Sequence, residues 1–142
     1  MDRAQILFDE IKKEGEARID RFIEDRHVEE LILDYKRSAD DGATPTTLHN
    51  NDKRNLARAI SGFGNSEGGI IVWGVECSKD SNGVDVPTAK HALKDAKRFQ
   101  AHVERLVSGC TLPVHSQVQN HVIVTADGSG FVATFVPRSN LA

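Results

Sequence analysis

The segment Gly68–Glu76, GGIIVWGVE, constrains this chain more than any other. Ile70–Val75 is apolar at consecutive positions rather than alternate ones, the pattern of a strand buried on both faces. Such a strand needs a covering layer on each side, which predicts the centre of a sheet flanked by helices. Just before it, Leu56, Ile60 and Phe63 recur at helical spacing, with Asn51 or Asp52 as N-cap. That helix runs to about Gly62. Gly64 or Asn65 suits its C-terminus, and Gly68-Gly69 permits a tight entry into the strand.

The rest of the chain supplies the layers. Residues 2–25 read as helix, with one apolar stripe at Ile6, Leu7, Phe8 and Ile11 and another at Ile19, Phe22 and Ile23. Gly15 marks a break between them. The stripe in residues 1–16 needs cover from the domain formed by 17–142, from a second copy, or from another partner. A homodimer through this helix is the expectation. Leu31–Tyr35 reads as a strand and Ser38–Asn50 as a loop. Cys77–Thr88 reads as a polar turn region, and Ala89–Val107 as a helix stopped by Gly109. His121–Ala126 and Phe131–Val136 form a hairpin around Asp127-Gly128-Ser129-Gly130, with a short strand near Val114–Val118. The order predicts an α/β or α+β fold with a mixed β-sheet and flanking helices.

Composition narrows the function classes. The 142 residues suit one domain. Cys77 and Cys110 form no CxxC pair, so a reducing, cytoplasmic setting is expected. No apolar run reaches the roughly 18 residues of a membrane span, and the charged N-terminus lacks a signal-peptide core. There is no GxxxxGK[ST] and no HExxH. Gly62-x-Gly64 follows a helix and precedes a strand, the wrong order for a dinucleotide fingerprint. The net charge of −3 lies in residues 1–25, with five Lys/Arg against eight Asp/Glu; the remainder holds thirteen of each. Local patches therefore matter more than the total.

Two sets of residues carry chemistry. Drawn as a helix, Ala89–Val107 places Lys90, Lys94, Lys97, Arg98 and Arg105 within roughly a 100° sector opposite the apolar side. This is either a solvated face or a stripe of cations for a phosphate backbone, with Lys36, Arg37, Lys53, Arg54 and Arg58 as additions. The second set is acidic. Asp34 interrupts an apolar strand, where a carboxylate must be paired, hydrogen-bonded or metal-bound. Alternation places Lys36 on its face, so an ion pair is one explanation. The other is convergence of Glu29, Asp34 and Glu76 on a divalent cation through oxygen ligands.

Glu29…Asp34-Tyr35-Lys36, followed by Ala59-Ile60-Ser61-Gly62-Phe63-Gly64-Asn65-Ser66-Glu67-Gly68-Gly69-Ile70-Ile71-Val72-Trp73-Gly74-Val75-Glu76 and closed by Val136-Pro137-Arg138-Ser139, resembles the Schlafen AlbA-like domain family, also known as divergent AAA-4. The resemblance spans roughly residues 17–139. It implies an α/β fold with the glycine turn before the central strand, and intracellular, often bacterial, proteins in which a further C-terminal domain commonly follows. Some animal relatives cleave RNA with three acids and Mn²⁺ or Mg²⁺. Those acids fall on Glu29, Asp34 and Glu76, the last two with Asp and Glu exchanged, which changes reach by one methylene. Gly64 replaces a usual Ala. The expected function is nucleic-acid binding, to DNA or RNA, through the basic residues. The alternatives are a metal-dependent nuclease and a regulatory dimerisation module that binds no nucleic acid.

Overall fold

The computed structural model describes residues 2–39, 48–110 and 117–139. In chain order the elements are α1 (Arg3–Glu14), α2 (Glu16–Glu24), β1 (Leu33–Lys36), α3 (Asn50–Gly64), β2 (Gly69–Trp73), β3 (Val75–Lys79), β4 (Asp85–Lys90), α4 (Ala96–Cys110), β5 (Gln119–Val124) and β6 (Gly130–Val136). The main sheet has the order β1-β2-β6-β5, with β1 parallel to β2 and the other pairs antiparallel. It is therefore mixed, and the fold is α+β. Among the described residues no helix is long and apolar enough to cross a membrane.

β2 is covered on both faces, as its composition requires. Ile70 and Val72 join Leu33, Tyr35, Phe131, Ala133 and Phe135 beneath α1 and α2. Ile71 and Trp73 join Val132 and Val136 beneath α3 and α4, against Leu56, Ile60, Phe99 and Val103. Ile70 to Trp73 are all 0% exposed. At about 1.5–3 kcal/mol for each buried side chain, they outweigh the exposed ion pairs, worth about 0–1 kcal/mol apiece. The Trp73 indole donates to Thr134 Oγ1 at 3.0 Å and meets the Phe99 ring edge-on at 5.2 Å.

The stripe of α1 is covered by the chain's own sheet. Leu7, Phe8 and Ile11 are buried, and Phe8 stacks on Phe135 at 5.0 Å. Only Ile6 of that set stays well exposed. The helix breaks at Gly15, where the spacing predicts it.

The cap of α3 is His49, whose Nδ1 accepts from the Asn51 amide at 3.2 Å, and not Asn51 or Asp52, which lie inside the helix. Two elements also differ from the sequence reading. Cys77–Thr88 is not a turn region: β3 and β4 pair antiparallel as a separate two-stranded sheet. Asn82-Gly83 at its tip is a strong hairpin signal, and Asp80 Oδ1 accepts from the Asn82 and Val84 amides at 2.8 and 3.0 Å. The strands are half polar because the hairpin is exposed at its tip, which hides it from a search for buried faces. Gly74 (φ +106°) turns the chain out of β2 into this hairpin; a Cβ there would lie 2.8 Å from the Phe131 ring.

α4 begins at Ala96 rather than Ala89. Asp95 is the start signal, its Oδ1 accepting from the Arg98 amide at 3.1 Å. Ala89 and Lys90 belong to β4, and Leu93 bridges to Gly130. The expected loop at Ser38–Asn50 and the short strand near Val114–Val118 lie largely outside the described residues.

The turn Asn65–Gly68 closes on Phe63, whose carbonyl accepts from the Ser66 and Gly68 amides at 3.1 and 3.0 Å. Gly68 has φ +87°, and a Cβ there would meet the Val136 carbonyl oxygen at 3.0 Å and the Arg138 nitrogen at 3.1 Å. The glycine turn and the closing Val136-Pro137-Arg138-Ser139 segment are thus in contact, and Ser139 donates its amide to Gly64 O at 2.9 Å. Gly68→Ala should lower stability by about 1–3 kcal/mol in urea denaturation. Gly62→Ala, in open space on α3, should instead raise it by about 0.4–1 kcal/mol.

Candidate functional site

Parallel pairing fixes the direction of the β1 side chains. Leu33 and Tyr35 point to the core under α1 and α2, so alternation turns Asp34 and Lys36 toward α3. The two pair at 3.3 Å, both partly buried. Glu29 comes back along the strand edge and accepts weakly from the Tyr35 amide at 3.4 Å. Its carboxyl meets that of Asp34. Burial first, and the Asp34 carboxyl second, push Glu29 up to about 7.

Glu76 does not join them. β3 has an irregular register between Glu76 and Cys77, and Glu76 instead accepts from Arg37 at 2.9 Å, both side chains substantially exposed. Cys77 occupies the place near Glu29, with Sγ 4.0 Å from Oε1. Burial, then the Glu29 charge, push its thiol up to about 11, so it is not a nucleophile near neutrality. Among the described residues no three His, Cys, Asp or Glu side chains form a metal-holding group. The pair Glu29–Asp34 has an ammonium on Asp34 and lacks the third carboxylate. The residues brought together here are thus only part of the three-acid Mn²⁺ or Mg²⁺ set that the family resemblance implies.

The basic residues are regrouped as well. With Lys90 on β4 and Lys94 ahead of α4, the single stripe does not exist; Lys97, Arg98 and Arg105 alone share an α4 face of roughly 100°. Lys90 is held by Asp20 at 2.8 Å and Glu16 at 3.1 Å, which keep its ammonium above the usual lysine range. It ties β4 to α2. Arg98 has Asp95 at 3.9 Å.

A different cluster forms where β1 runs out beside α3. A cavity of about 520 Å³ is lined by Arg37, Arg54 and Arg58, with Ser38, Asn51 and Asn55. Arg54 and Arg58 lie one turn apart on α3 and both are exposed. Arg54 is braced by Asn51 Oδ1 at 2.6 Å. Asp52 also borders the cavity, but it is buried and its carboxylate accepts from Ser38 Oγ at 2.6 Å and from the Ala39 amide at 3.2 Å. Those bonds pin the chain leaving β1 to α3, which brings Arg37 to the same cavity as Arg54 and Arg58. A second cavity, of about 490 Å³, adjoins the first through Asn55 and Arg58 and contains Glu29, Asp34, Lys36, Leu31 and Phe63. Sequence reasoning named Arg37, Arg54 and Arg58 only as additions. The spacing of Arg54 and Arg58 on α3 was the available signal.

The raised Glu29 value has a consequence for stability. The folded state holds this proton more tightly than the unfolded chain, so its contribution falls as pH rises from about 4.3, the ordinary glutamate value, through about 7. Glu29→Gln removes that dependence. Between about pH 5 and about pH 7.5 the urea midpoint should fall less, or rise more, in the variant than in the parent; an equal or larger fall in the variant would contradict the assignment.

The Schlafen, AlbA_2 family profile matches residues 29–131. No curated protein matches the sequence. Among solved structures, the N-terminal domain of a protein described as related to the ATP-dependent DNA helicase RecG, from Nitrosomonas europaea, is similar with a TM-score of 0.54 and 20% identity. The likeness covers 85% of this chain and 72% of that one. At that identity it establishes the fold alone. The profile match takes in β1, the glycine turn, β2 and the start of β6, and on it the chain belongs to the Schlafen AlbA_2 family.

Proposed function

We propose that this domain binds the phosphate backbone of nucleic acid, and that the arginine-lined cavity between the end of β1 and α3 is the principal contact. The cavity carries this reading: three arginines are among the residues lining about 520 Å³ of open space. Arginine forks match phosphate oxygens in pairs. Among the described residues, Arg58 has no carboxylate within ion-pair distance, and the Arg37–Glu76 pair is exposed enough that a phosphate can replace the carboxylate. Family membership supports the reading, as does the fold likeness to a domain of a DNA helicase-related protein.

Lys97, Arg98 and Arg105 are a second candidate contact, because α4 shares the α3 side of the sheet. Neither contact reads base sequence.

Binding of a labelled oligonucleotide should weaken steeply as salt is raised. Arg54→Glu with Arg58→Glu should lower affinity at least about tenfold and reduce the salt slope by about 0.7–0.9 for each lost phosphate contact. If Lys94→Glu, Lys97→Glu and Arg98→Glu together produce that loss while the α3 pair does not, α4 is the interface. Glu76→Gln separates binding from metal-dependent cleavage. Freed from Glu76, Arg37 should bind more tightly. Abolition of Mn²⁺-dependent cleavage of labelled RNA by this substitution would instead assign Glu76 to a metal.

A further inference from the structure

The two cavities are unlike each other, and they share a wall. One presents Arg37, Arg54 and Arg58; the other adds Leu31, Phe63 and the Glu29–Asp34 carboxyl pair; Asn55 and Arg58 belong to both. Leu31 is 65% exposed, an unusual position for a leucine beside a charged trough. Phe63 is half-buried, and its ring lies over Gly69, which has no Cβ to displace it.

This arrangement fits one nucleotide of an unpaired strand and misfits a duplex. Phosphate charge suits the arginine end; at the other end Lys36 is already paired with Asp34. The apolar surface of Leu31 and Phe63 suits the face of a base. Carboxyl and amide oxygens of Glu29, Asp34 and Asn55 can accept from exocyclic amino groups of a base edge. In a duplex the bases are stacked and paired inside the helix, so their faces cannot reach Leu31 and Phe63 while phosphates fill the arginine cavity. Electrostatic contact beside an apolar platform is how unpaired strands are held without strong sequence preference.

Building on the phosphate-binding reading, we propose that the ligand of this trough is single-stranded nucleic acid, with a phosphate among Arg37, Arg54 and Arg58 and the adjoining base against Leu31 and Phe63. The base, and not only the charge, contributes to affinity. RNA and DNA share this chemistry.

The test compares one oligonucleotide sequence as a single strand, as a duplex and as an abasic single strand, by fluorescence anisotropy at fixed salt, using the whole chain. The single strand should bind at least about tenfold tighter than either competitor. Leu31→Ser, at an exposed position that the core does not use, should weaken single-strand binding several-fold and leave the abasic strand unchanged. Phe63→Leu should act in the same direction. Equal affinity for all three ligands, with a salt slope that Arg54→Glu and Arg58→Glu abolish, would overturn the unpaired-strand proposal while leaving phosphate binding intact. No binding to any of the three would overturn both.

Discussion

Gly69–Trp73 has no solvent-facing side. Its apolar side chains alternate between two clusters, Ile70 and Val72 into one, Ile71 and Trp73 into the other, and both backbone edges are paired, to β1 in parallel and to β6 antiparallel. A strand in that situation fixes its surroundings. Two helical layers are needed, so α1 and α2 cover one face while α3 and α4 cover the other. The parallel neighbour demands a long crossover, which α3 supplies. Removing any layer would wet side chains that have no polar alternative.

The site is a by-product of that requirement. Because β1 is the edge strand and lies in register with β2, Asp34 pairing with Ile71 in the ladder, its polar side chains emerge toward α3 at the margin of the core. The crossover helix passes there with Asn51, Arg54, Asn55 and Arg58 along its outer side, and the buried Asp52 ties it to Ser38 and Ala39. Core packing and site geometry therefore meet in one helix. Its inner face holds Leu56 and Ile60, and its outer face carries the arginines.

Charge is sorted along this margin. Cations collect where the chain leaves β1, and the carboxyl pair collects where it enters. Lys36 stands between them on Asp34. Burial and Asp34 both oppose ionisation of Glu29 and hold its carboxyl above the ordinary glutamate range, so the acidic end is less repulsive than its residue count implies. By contrast Lys90, drawn beside Lys94 on a helical wheel, is a structural tie between α2 and β4.

The double burial of β2, the helix before it, the glycine turn and the β5–β6 hairpin were legible in the sequence, because each leaves a local mark: an unbroken apolar run, a 3.6-residue period, a glycine pair, a DGSG turn. The Asp34–Lys36 pair was legible for the same reason, since alternation along one strand decides it. The β3–β4 hairpin was not, as its half-polar strands carry no buried period. Nor was the start of α4, where cations from Lys90 onward mimic helical spacing until Asp95 caps the true helix. Glu29, Asp34 and Glu76 look equivalent as letters. Only the tertiary structure separates them, through the irregular register at Glu76/Cys77 that presents Cys77 to Glu29 and leaves Glu76 with Arg37. Local periodicity determines which face of an element is buried; which residues from distant elements then face each other depends on register, bulges and helix placement, and those are set by packing across the whole core.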